Sequence, residues 1–271
     1  MKYISTGFTE LDRTFGGIKT GELVVIASRP AMGKTTLLSN IFANNVIEAK
    51  FKNFPIHCAY FSYEHNVGMV WENTASRICK FNFGNGTLNK DKLYSAEKMD
   101  KVFDLLNKLQ DEGKIGLYEN DGPDATLFYI ALNAAEQKYK SGLDVVFIDS
   151  FDMLSLYDGS GKTVIANRLK ELAEKLNIAI IVTTQFTRRQ RYGYSLEDIN
   201  LQLVRMADKI IFLRRLDVTA TEEEIISGHI KRGESAITVM KNIGGQYGYE
   251  KVCFDYGNGG FFNYPKSESP Y

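Results

Sequence analysis

Apolar runs and amphipathic stretches alternate along the chain. Residues 23–27 are wholly apolar, and the runs at 56–61, 143–148 and 178–182 are nearly so, a pattern that predicts strands covered on both faces. Shorter runs at 114–118 and 208–213 read as further strands. Helices are predicted at about 35–49, 68–80, 96–110, 125–140 and 162–176. In the third, Met99, Val102, Phe103, Leu105, Leu106 and Leu109 form one stripe; in the last, Ile165, Leu169, Leu172 and Leu176 return by threes and fours, and both stripes read as core packing. Residues 4–21 read as a turn-rich approach to the first strand, and residues 81–89 (FNFGNGTLN) as a turn. The acidic stretch 219–224 reads as a helix start. Residues 236–241 and 250–256 flank a glycine-rich turn and predict a β-hairpin, after which the polar tail from 263 is read as loose. No internal repeat and no domain-separating linker is seen.

Composition narrows the class. A chain of 271 residues, 44% hydrophobic and 12% aromatic, fits one large α/β domain or two small ones. Lys plus Arg and Asp plus Glu both number 33, so any nucleic-acid contact must come from a local patch. No apolar run reaches membrane-spanning length and the N-terminus has no apolar signal core, so the expected location is the cytosol. Cys58, Cys79 and Cys253 lie far apart without metal-ligand spacing and read as reduced thiols.

The chemistry concentrates at residues 28–36, Ser28-Arg29-Pro30-Ala31-Met32-Gly33-Lys34-Thr35-Thr36, between the first long strand and a helix. That order makes a phosphate-binding loop: backbone N–H groups and the positive end of the helix converge on a polyphosphate, Lys34 reaches its terminal oxygens, and the Thr35 hydroxyl can ligate Mg²⁺. The loop keeps Gly33, Lys34 and Thr35 of the G-x-x-x-x-G-K-[ST] pattern but has Ser28 for its first glycine. Three other strands end on polar groups. Glu64, after Phe61-Ser62-Tyr63, could polarise an attacking water. Asp149 would hold Mg²⁺ opposite Thr35, and Gln185 could contact a γ-phosphate and report its loss to Arg188, Arg189 and Arg191 beside Tyr192. A solvated or capping role is the plain competitor for Glu64, and a solvent-facing charged loop the competitor for the arginines.

Those residues carry a resemblance. The run STGFTELDRTFGGIKTGELVVIASRPAMGKTTL resembles the start of the ATPase domain of DnaB-type replicative helicases, including their R-P-x-M-G-K-T-T loop, whose first glycine is often missing there too. Phe61-Ser62-Tyr63-Glu64 resembles the family's F-S-x-E with its catalytic glutamate, Gln185 its sensor, residues 188–203 its DNA-facing loop, and Ala207-Asp208-Lys209-Ile210-Ile211-Phe212 its A-D-x-I-x-F strand. The likeness covers residues 5 to about 262. It implies a RecA-like core: a mostly parallel sheet with helices on both faces, closed by the C-terminal hairpin, as a single ATPase domain. It further implies ATP and Mg²⁺ as ligands, a ring of usually six copies with ATP between neighbours, single-stranded DNA in the channel, a primase or loader as further partners, and a bacterial or phage-infected cytosol.

Three departures bear on function. The family's N-terminal scaffold domain is absent from this sequence, which reads either as a piece of a longer protein or as a compact relative such as a phage would encode. The family's arginine finger lies in K-x-R, whereas this chain reads Lys241-Asn242-Ile243, which predicts slow hydrolysis unless Lys241, or else Arg214, Arg215, Lys231 or Arg232, substitutes. Finally, Glu197-Asp198-Ile199-Asn200-Leu201 stands where the family has an R-x-S-G-type turn, leaving the Arg188, Arg189, Arg191 cluster to take over DNA contact. The reading is an ATP-driven motor on single-stranded DNA in replication. The alternative is a RecA-like assembly protein that binds ATP without processive unwinding, and a kinase is disfavoured by the lack of an acceptor-binding motif or lid.

Overall fold

A computed structural model of the protein describes residues 2–51, 56–82, 87–88, 95–119, 126–156, 159, 161–187, 193–256 and 260–264. In chain order the elements begin with β1 (Tyr3–Ile4), α1 (Thr9–Phe15), β2 (Ile18–Lys19), β3 (Leu23–Ser28), α2 (Lys34–Phe51), β4 (Cys58–Ser62), α3 (Val67–Lys80), β5 (Phe81–Asn82) and β6 (Thr87–Leu88). They continue with α4 (Ala96–Asp111), β7 (Ile115–Glu119), α5 (Leu127–Ser141), β8 (Val145–Asp149), a 3₁₀ turn at Phe151–Met153, α6 (Lys162–Leu176) and β9 (Ala179–Gln185). A second 3₁₀ turn at Leu196–Asp198 leads to α7 (Leu201–Met206), β10 (Lys209–Arg215), α8 (Leu216–Thr219), α9 (Glu222–Ile226), β11 (Glu234–Asn242), β12 (Gly248–Asp255) and β13 (Gly260–Asn263).

Nine strands form one sheet in the order β13-β12-β11-β10-β3-β9-β8-β4-β7. The six from β10 to β7 are mutually parallel, and β11, β12 and β13 continue the sheet antiparallel. The continuous apolar runs are explained by cover on both faces. Val24 and Ile26 enter a core with residues of α1 to α4, whereas Leu23, Val25 and Ala27 enter a second core with residues of α5, α6 and α7. Because β8 and β9 lie between β3 and β4, the chain crosses over through α2, and the carboxyl ends of β3, β4, β8 and β9 meet at one rim of the sheet. Ligands bind at such a rim in open α/β sheets. Among the described residues no helix is long and apolar enough to cross a membrane.

The predicted strands and helices recur within a few residues, and the mostly parallel sheet with helices on both faces and a C-terminal hairpin is present. Three segments differ. Residues 9–15 form α1 instead of a turn-rich lead-in, because Leu11 and Phe15 bury one face and Asp12 organises the entry. The Asp12 carboxylate accepts from Ser5 Oγ at 2.6 Å and from Thr6 N and Oγ1 at 2.7 Å each, which fixes the preceding loop. In the polar stretch before Leu203, Ser195 and Asp198 make a capping box and Asn200 caps α7, so the acid of Asp198 is turned inward and buried. Finally, β12 begins at Gly248, inside the predicted turn, and residues 260–263, ahead of and at the start of the tail, add β13, with Phe261 buried against α2 through Asn40. The centre of the predicted turn at 81–89 and the end of the tail lie outside the described residues.

Candidate nucleotide site

The phosphate loop is shaped by two left-handed residues, Ala31 at φ 61° and Gly33 at φ 90°. Alternation of that kind turns successive amides inward, the concavity that binds anions. Gly33 is required twice over, since a Cβ there would also stand 3.1 Å from the Phe261 ring. The Gly33 carbonyl accepts from Leu37 N at 2.8 Å, so helix α2 begins directly beneath the loop and directs its N-terminus at the concavity.

Lys34 and Thr35 open that helix, 6% and 8% exposed. Burial lowers the Lys34 pKa, and the nearby carboxylates of Glu64, Asp149 and Asp152 oppose it. Thr35 Oγ1 donates to Asp149 Oδ2 at 2.6 Å, and Thr183 Oγ1 donates to Asp149 Oδ1 at 2.5 Å. The backbone amides of Tyr63 and Glu64 donate to the Asp149 carbonyl at 2.6 and 3.1 Å, which ties the end of β4 to the end of β8. From there Glu64 points back across the rim: its Oε1 accepts from Gln185 Nε2 at 3.2 Å, while its Oε2 is buried without a hydrogen-bond partner. A buried carboxylate oxygen left unpaired is costly unless a ligand or water completes it. The fold thus gathers Lys34, Thr35, Glu64, Asp149 and Gln185 at one place.

Sequence reasoning missed Thr183 and Asp152. Asp152 lies three residues beyond Asp149, inside an apolar stretch, and that isolated carboxylate was the only signal it gave. On the other side of the loop a cavity of about 200 Å³ is lined by Arg29, Met32, Phe186, Tyr194, Phe212 and Arg214, among others. Phe186 follows Gln185 directly, stacks on Tyr194 at 4.2 Å and meets Phe212 edge-on at 4.8 Å, so Arg29 and Met32 of the phosphate loop share an aromatic wall with residues on either side of 188–192. Arg188, Arg189 and Arg191, the expected DNA contacts, lie outside the described residues.

The finger candidates divide between the two rims of the sheet. Asn242 pairs with Lys209, the first residue of β10, so Lys241 and Ile243 sit at the rim opposite the phosphate loop. Lys241 Nζ donates to the carbonyls of Val204, Arg205 and Ala207 at 2.9, 3.4 and 2.6 Å and so closes the C-terminus of α7. Arg215 is buried: it pairs with Asp217 at 3.0 Å and stacks 3.8 Å over the Phe254 ring. Arg232 lies 4.7 Å over the Tyr256 ring, Arg214 lines the cavity, and Lys231 is exposed.

Among the described residues no group of three histidine, cysteine or acidic side chains could hold a metal. The donors present are Thr35 and Asp149, an oxygen set suited to an ion held chiefly by phosphates and water, as Mg²⁺ is. The unpaired Glu64 oxygen and the turned-in amides of the loop fit the rest of a nucleoside triphosphate and its attacking water.

The family model for the DnaB-like helicase C-terminal domain matches residues 3–263. The chain belongs to that family. It is 28% identical over 267 residues to the replicative DNA helicase DnaB of Geobacillus stearothermophilus, covering 93% of this chain and 54% of that one. It is likewise 28% identical over 237 residues to the replicative DNA helicase DnaC of Bacillus subtilis, covering 82% and 49%. The chain therefore spans about half the length of these relatives. Among solved structures, one described as an ATPase domain superposes with a TM-score of 0.75 at 24% identity, covering 97% of this chain and 91% of that one. A DnaB-like replicative helicase described with its primase interactions gives 0.73 at 23%, covering 97% and 62%.

Proposed function

We propose that the chain is an ATP-hydrolysing motor domain that moves along single-stranded DNA during replication, in a closed ring of copies in the cytoplasm of a bacterial cell. The observation that carries this reading is Glu64, held between Gln185 and the end of β8 with one carboxylate oxygen unpaired, and near enough to Lys34 for their charges to act on each other. The loop amides and Lys34 hold the polyphosphate. Thr35 and Asp149 would hold Mg²⁺, which when bound supplies charge neutralisation on the β- and γ-phosphate oxygens. Thr183 fixes the second oxygen of Asp149 and so keeps the first turned toward Thr35. Glu64 Oε2 accepts the proton of the attacking water, and Gln185, hydrogen-bonded to the other Glu64 oxygen, passes any change at the γ-phosphate into Phe186 and the loop beyond. Arg188, Arg189 and Arg191 are the proposed DNA contacts on that loop. By likeness to the helicase described with primase, a primase or a loader is a further partner.

Replacing Glu64→Gln tests the assignment. Hydrolysis is expected to fall by about 10²- to 10⁴-fold with nucleotide binding retained; an unchanged rate removes Glu64 from the role. A second reading, an ATP-binding assembly protein without unwinding, is favoured by one observation: Ile243 stands at the finger position and Lys241 is engaged on α7. Strand displacement on a forked DNA by this chain refutes that reading, whereas ATP-dependent rings without displacement refute the motor.

A further inference from the structure

The carboxylate of Asp152 has no role in the scheme above. It lies in the 3₁₀ turn that follows β8, and its side chain reaches across to β9. There Thr184 Oγ1 donates to Oδ1 at 3.0 Å and to Oδ2 at 3.2 Å, while the amide of Gln185 donates to Oδ2 at 2.8 Å. The strand lengths explain why. Pairing of β8 with β9 stops at Ile148 opposite Val182, but β9 continues to Gln185, so the last amide on this side has no strand beside it. Asp149 and Asp152 therefore take up consecutive threonine hydroxyls of β9, Thr183 and Thr184. The turn carrying Asp152 is held in place by Lys162 Nζ, which donates to the carbonyls of Phe151, Asp152 and Leu154 at 3.2, 2.7 and 2.5 Å.

We propose that Asp152 is a positioning residue for hydrolysis: it fixes the tip of β9 so that the Gln185 side chain reaches Glu64, and thereby sets the carboxylate that activates water. The inference rests on the ATPase reading. Its negative charge matters because two donors converge on the two oxygens of one carboxylate. Asparagine keeps one acceptor oxygen for the Gln185 amide, and its N–H₂ would have to donate to the Thr184 hydroxyl, reversing that bond without the carboxylate's charge; alanine offers neither. Asp152 is itself exposed, so its contacts act on the strand tip and not on the core.

The test compares the intact chain with Asp152→Ala and Asp152→Asn, first without nucleotide. Hydrogen exchange at the Gln185 amide is expected to quicken by about tenfold or more in Asp152→Ala, with β3 and α2 unchanged. With MgATP, kcat is expected to drop by about 10- to 100-fold while the Kd for a fluorescent ATP analogue stays within about twofold, and Asp152→Asn should fall between the two proteins. Unchanged exchange at Gln185 overturns the proposal. So does a kcat loss matched by an equal loss of nucleotide affinity with faster exchange throughout the sheet, which marks a defect of folding. If the unaltered protein binds MgATP but does not hydrolyse it, the ATPase reading fails by itself, and the exchange measurement still decides what Asp152 holds.

Discussion

Arg77 shows how much a single side chain outside the nucleotide site can hold. Its guanidinium is buried, donates from Nε to Asn44 Oδ1 at 2.7 Å and from Nη1 to the Phe261 carbonyl at 2.6 Å, and lies 5.4 Å from the ring centroids of both Phe8 and Phe262. Asn44 in turn donates to the Thr6 carbonyl, so α2, α3, the entry to α1 and β13 close on one cation with neutral acceptors. Arg77→Ala leaves a cavity and two buried acceptors without donors, and is expected to cost about 3 to 5 kcal/mol. Arg77→Met, which refills the volume, should recover part of that loss; denaturant midpoints of the three proteins measure it. Such a role was not legible in the sequence, where Arg77 and Phe261 are 184 positions apart. Lys34, Thr35, Glu64 and Asp149 were legible, because each stands at a strand end or opens a helix and its chemistry needs only that local setting. Gln185 was visible as a polar strand end, but its contact with Glu64, 121 positions away, depends on strand order, as does the grip of Asp152 on β9.

At the scale of elements, the sequence pattern reported strands wherever both faces are apolar and was silent where side-chain hydrogen bonds decide. Helix α1 is an instance: its apolar spacing of Phe8, Leu11 and Phe15 spans only two turns, and Asp12 reaching back to Ser5 and Thr6 fixes where it starts. The junction of β10, α8 and the antiparallel strands is another. Asp217 accepts from Arg215 Nε and Nη2, Tyr256 Oη and Gly233 N, while Arg215 lies over the rings of Phe254 and Tyr256. Burial works to raise the Asp217 pKa, but the hydrogen bonds from Arg215, Tyr256 and Gly233 together hold it below the ordinary value. A carboxylate with a depressed folded pKa contributes stability that is full above the unfolded value of about 3.9 and is lost as pH falls through the folded one. Asp217→Asn is therefore expected to lower stability at pH 7 and to flatten its decline in acid, so that the two proteins converge as pH falls below the folded value. Urea unfolding across that range checks the sign: a deficit that persists unchanged into acid contradicts it.

For the molecule as a whole, the polarity of the sheet matters most. The phosphate loop, Glu64, Asp149 and Gln185 occupy the carboxyl rim, while Lys241 and Ile243 occupy the opposite one, on the order of 15 Å away along the strands at about 3.3 Å per residue. At that distance a described residue on the far rim does not reach the site of its own chain, so a cation there would act only on another copy stacked head to tail. Head-to-tail contacts that close generate rings. Lys241 is poorly placed to act in that way, since its ammonium closes α7 and burial lowers its pKa. Ile243, by contrast, is 61% exposed at the turn after β11. Ile243→Arg is therefore expected to raise ATP hydrolysis by about tenfold or more, within the span an arginine finger supplies. The gain should appear only above the concentration at which the copies associate and vanish on dilution, read as specific activity against protein concentration beside light scattering. A gain that is the same at every concentration would mean that the arginine acts within one chain, and the head-to-tail arrangement would have to be abandoned.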